Sequence, residues 1–196
     1  MAVGQGRPSG GRPSAGRWRR NGSAAARGES FGLSDFTPAP AHPVDPADPA
    51  GPTYRPSAEL AYTASTAGGR RRLRAFVELY RPDSGTERAA EQLAACARLW
   101  QQPGPGGTGW ARERRWRTFP TVLVLLTGTA ATAVGAAVAD LLLAAEENPA
   151  TTELLAAVPA GAARLEDLLQ HGPATAVWHP LDGERRAPCG WTQLQA

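Results

Sequence analysis

A chain of 196 residues with a formal net charge of +3 has room for one buried core plus additional sequence. All 21 basic residues are arginine, so chemistry that needs a lysine is excluded, and the planar guanidinium fork suits phosphate or carboxylate partners. GC-rich coding produces the same bias towards Arg, Ala, Gly and Pro. The two cysteines, Cys96 and Cys189, exclude a disulfide framework and a cysteine metal site.

Residues 1–53 form the first compositional block. Met1 to Pro52 carries eight of the 18 prolines and almost no spaced aliphatic residues, which predicts a disordered Gly/Pro/Arg-rich tail. Arg7, Arg12, Arg17, Arg19, Arg20 and Arg27, with Trp18 among them, make it either a loose phosphate-binding arm or a solvated tail. No apolar run follows Met1, so Arg19-Arg20 does not make a twin-arginine signal, and a cytoplasmic setting is expected.

Residues 54–196 read as one α/β domain. Ala58, Leu60 and Tyr62 recur with the two-residue period of a half-buried strand. Gly68-Gly69 turns the chain into a second strand, with Leu73, Ala75, Val77 and Leu79 on one face and Arg74, Phe76, Glu78 and Tyr80 on the other. Pro82 to Gly85 ends it, and a helix is predicted from Ser84, with Glu87 completing a capping box and Ala89, Leu93, Cys96 and Trp100 on one face. After the Pro- and Gly-rich break from Gln101 to Gly109, Arg112, Arg114, Arg115 and Arg117 surround Trp116. That mixture suits phosphate contacts with a stacking ring, or a solvated loop anchored by tryptophan.

Thr121 to Leu126 is an uninterrupted Val/Leu run, the composition of a strand buried on both faces. Gly128 turns the chain into a helix with Val134, Val138, Leu141, Leu142 and Ala145 on one side, stopped at Asn148-Pro149. A short helical piece from Thr152 to Ala157 and a last helix around Leu165, Leu168 and Leu169 follow, and Val177 to Trp191 reads as loop or a covering edge. The order strand, strand, helix, strand, helix predicts an α/β layered fold. His171 and His179 lack partners at metal-ligand spacing, so no metal site is assigned to them.

A single membrane span over Pro120 to Ala139 is the competing reading. Seven Val or Leu residues contribute about −2 to −4 kcal/mol on an insertion scale, set against Pro120, Gly128, Gly135 and four threonines. Lengthening the span brings in Asp140, at a cost of up to ~3 kcal/mol near the bilayer centre. The change of character at Gly128 favours strand, turn and helix instead.

Phe76 to Arg81, Ser84 to Arg98, Thr118 to Leu125, Leu165 to Leu168, His171-Gly172-Pro173 and Val177-Trp178 together resemble the C-terminal part of replication-relaxation family proteins. The resemblance covers roughly Tyr54 to Trp191. It implies a restriction-endonuclease-like mixed sheet flanked by helices, with DNA or plasmid replication and mobilisation proteins as partners. Family members place a winged helix-turn-helix region first, whereas residues 1–53 show no helical periodicity, which implies a copy without the DNA-reading half.

Endonuclease-like sites hold Mg²⁺ between carboxylates on adjacent strands, often with a lysine nearby. The family's Arg-Pro-Asp stands here as Arg55-Pro56-Ser57, and its Glu-x-Asp as Glu78-Leu79-Tyr80. One acid of the set remains, and a hydroxyl is a poor ligand for a hard cation. The resemblance therefore implies a non-catalytic, DNA-associated or structural module needing no cofactor. The enzymatic alternative is a Mg²⁺-dependent nuclease in which Glu59, two residues after Ser57 on the same strand face, converges with Glu78.

Overall fold

The computed structural model describes residues 40–45, 48, 50–66, 69–102, 116, 118–183 and 187–194, with the backbone alone for 62–66 and 69–71. The described residues build a mixed α/β fold: a five-stranded sheet with four helices. A two-residue strand β1 (His42–Pro43) first pairs antiparallel with β2 (Thr53–Tyr54). The sheet then follows in chain order as β3 (Ala58–Thr66), β4 (Gly69–Tyr80), β5 (Thr121–Leu126), β6 (Ala160–Arg164) and β7 (His179–Pro180). β3 is antiparallel to β4, β4 to β6 run parallel, and β7 returns antiparallel.

Parallel neighbours need crossovers, and helices supply them. α1 (Glu87–Gln101) joins β4 to β5, and α2 (Val134–Glu146) with α3 (Pro149–Ala157) joins β5 to β6. Both crossovers step the same way across the sheet, so right-handed connections put all three helices on one face. Leu93 and Cys96 of α1, Leu141 of α2 and Leu154 of α3 accordingly pack with Phe76, Val122, Val124 and Ala162. α4 (Leu165–His171) and the C-terminal segment cover the opposite face, where Trp178 and Trp191 meet Leu73, Ala75, Val77, Leu123 and Ala163. β5 is buried at all six positions because it lies centrally between these layers.

The structure departs from the sequence expectations in three places and, over Pro120 to Ala139, follows the strand, turn and helix favoured over a membrane span. Among the described residues packing starts at His42, ahead of Tyr54: His42 is 1% exposed, and Val44 is also buried. The last residues of the expected tail thus belong to the domain. The capping box does not form; Pro82–Ser84 is a 3₁₀ turn, Gly85 adopts φ 85°, the Ser84 hydroxyl donates to Asp83, and α1 starts at Glu87. β6 went unpredicted, being Ala-Gly-Ala-Ala-Arg. The Pro120 to Ala139 stretch divides between β5 and the first half of α2, and among the described residues no helix is long and apolar enough to cross a membrane.

Candidate functional site

Glu78 stands two residues before the end of β4, on the face that carries α1, opposite Val124 of β5. It is 4% exposed. The β3–β4 register starts at Ala58 opposite Val77, so one step beyond the ladder Ser57 comes level with Glu78. The Ser57 hydroxyl donates to Glu78 Oε2 at 3.4 Å and accepts from the Leu79 backbone N–H at 3.3 Å. From β2, the fully buried Tyr54 hydroxyl donates to Glu78 Oε1 at 2.5 Å. Cys96 of α1, also fully buried, belongs to the same core cluster as Tyr54.

These surroundings decide the protonation states. Burial raises the Glu78 carboxyl from an ordinary 4.5 to about 7, against the opposing hydrogen bonds from Tyr54 and Ser57. Burial likewise pushes the Tyr54 phenol well above its usual range, reinforced by Cys96 and Glu78. The Cys96 thiol is also raised, chiefly by burial. Near neutrality the cluster holds a phenol, a thiol and a carboxyl close to half-protonation. A buried thiol of this kind is a poor nucleophile, because the reactive form is the thiolate.

Glu59 does not join this group. It sits opposite Phe76, and its Oε1 lies 2.5 Å from His42 Nε2. Register thus brings Ser57, rather than Glu59, alongside Glu78. His42 in turn lies in an aromatic cluster, with ring centroids 5.2 Å from both Phe76 and Trp116. Phe119 closes the group at 5.6 Å from Phe76 and 5.9 Å from Trp116. Trp116 is 5% exposed, so its ring faces the core and not the solvent from which a base would stack. Arg112, Arg114, Arg115 and Arg117 lie outside the described residues.

The donor set does not fit a divalent cation. Mg²⁺ takes near-octahedral oxygen ligands and is usually anchored by one or two carboxylates. Both Glu78 oxygens already accept hydrogen bonds from side chains, and Glu59 is engaged by His42. Among the described residues no group of three His, Cys, Asp or Glu side chains could hold a metal ion.

Tyr54, His42 and Cys96 are the partners that sequence reasoning missed. Cys96 was visible only as one of the apolar-face positions of α1, while His42 lay inside the expected tail. Among known protein families, curated proteins and solved structures, no match to this chain was found.

Proposed function

We propose that this chain is a non-catalytic, DNA-associated module of restriction-endonuclease-like architecture, of the kind found in the C-terminal part of replication-relaxation proteins. The observation that carries the reading is the sealed Glu78 carboxyl. Where an endonuclease-like site would present paired carboxylates to metal and phosphate, Glu78 is 4% exposed and faces Tyr54 and Ser57. The Arg55-Pro56-Ser57 position meets Glu78 across the strands, as the endonuclease-like arrangement requires, with a hydroxyl in place of the acid. The all-arginine basic set supports association with phosphate. A cytoplasmic setting belongs to the same proposal.

Incubation of the purified protein with supercoiled plasmid tests both halves. The module retards the plasmid on a native gel at low salt and leaves it uncut in Mg²⁺ or Mn²⁺. Metal-dependent nicking that disappears in Glu78→Gln would overturn the non-catalytic half. Absence of any shift at low salt would overturn the DNA half.

A further inference from the structure

The two edges of the five-stranded sheet are built differently. At one edge β7 is two residues long and ends in Pro180, which has no N–H to donate, so a further strand finds almost nothing to pair with. At the other edge lies β3, nine residues and about 30 Å of strand. Its inner side pairs with β4 at every position from Ala58 to Thr66, and among the described residues no strand pairs with its outer side. Alternate N–H and C=O groups of an antiparallel edge strand point away from the sheet, so β3 presents a long open template.

β3 also lacks the devices that keep an edge from pairing. It contains no proline, lysine or arginine, no bulge interrupts its register with β4, and its one charge-bearing residue is Glu59. That carboxylate is already engaged within the chain by His42. A second copy of the chain matches such an edge. Antiparallel pairing about a twofold axis at Tyr62, the middle of the strand, sets Glu59 opposite the second copy's Ser65 and Leu60 opposite the second copy's Ala64. About 20 Å of strand then separates the two Glu59 positions, so no like charges meet across the axis. Because the opposite edge is the short β7, pairing through β3 closes at two copies and does not grow into a filament.

We infer that the chain forms a twofold dimer through the outer edge of β3, which joins two five-stranded sheets into one continuous sheet. Backbone hydrogen bonds along β3 carry the interface. The inference goes beyond the DNA-associated reading and stands without it.

Light scattering of the full chain over a dilution series, combined with amide hydrogen exchange at the two ends of that series, tests the interface. The expected mass is about twice 20.6 kDa at high concentration and falls towards the monomer on dilution. Alternate amides between Ala58 and Thr66 exchange at least about tenfold faster in the dilute sample, while those of the central β5 do not change. Ala61→Lys places two ammonium groups about 7 Å apart across the axis and gives a monomer that unfolds as cooperatively as the parent. Leu143→Lys, at an exposed leucine of α2, leaves the dimer intact. If Ala61→Lys does not fold, the exchange pattern of the unmodified chain decides alone. A chain that is monomeric at every concentration would overturn the inference. So would a dimer whose β3 amides exchange at the same rate throughout the series, or one that Leu143→Lys dissolves and Ala61→Lys does not.

Discussion

Glu78 takes up its proton more readily in the folded chain than in the unfolded one, and that difference makes stability depend on pH. With the folded carboxyl at about 7 and the ordinary value at 4.5, the folded state binds more protons between those limits. Stability therefore falls as pH rises through that window, by up to about 3 kcal/mol from this group. Glu78→Gln keeps an acceptor for Tyr54 but cannot ionise. Its urea-unfolding midpoint matches the parent near pH 5 and exceeds it near pH 8, with most of the fall across the window removed. Tyr54→Phe tests the same cluster from the other side. It costs about 1 kcal/mol at low pH, where Glu78 is neutral, and about 1.5–3 kcal/mol at high pH, where the missing bond was to a carboxylate. It also moves the Glu78 midpoint further up, since that bond opposes the effect of burial. Trp116 belongs to this scale too. Trp116→Ala empties a site packed by His42, Phe76 and Phe119 and costs about 3–5 kcal/mol in chemical denaturation, against a small change for a surface ring.

At the scale of elements, legibility followed composition. The Thr121 to Leu126 run and the apolar face of α1 were readable because burial on two sides, or on one stripe, leaves a run or a 3.6-residue period. The facing of Glu78 with Phe76, away from Leu73, Ala75 and Val77, was readable from strand alternation. β6 was not, because its pattern reflects space and not β-propensity. Ala162 lies fully buried against the helical layer and Ala163 fully buried against Trp178 and Trp191. A Cβ on Gly161 would come within 2.8 Å of Leu194. Small residues there let large neighbours close over the strand. Ala162→Leu, a conventional improvement in strand propensity, therefore destabilises by about 1–3 kcal/mol through overpacking, measurable as a lower denaturation midpoint. The absent capping box has a local cause as well, since Pro82 and the positive φ of Gly85 commit Ser84 to a 3₁₀ turn before α1 begins.

For the whole molecule, the layered architecture was legible and the site was legible only in part. Glu78 and Ser57 were named from the chain, and register brings them together. Tyr54, which seals the carboxyl, and His42, which draws off Glu59, arrive through the short β1–β2 pair, whose four residues carry no periodicity. A long-range pairing of that kind leaves no local signal. Its consequence is structural: His42, from the segment expected to be a free tail, packs on Phe76 and engages Glu59.

Glu78, 4% exposed, is a closed structural carboxyl and not an open ligand. Titration of its side-chain carbonyl carbon by NMR in ¹³C-glutamate-labelled protein, assigned with Glu78→Gln, measures this directly. The expected midpoint lies near 7, and Mg²⁺ leaves it unmoved. A midpoint in the ordinary carboxylate range, or one that falls when Mg²⁺ is added, would contradict it.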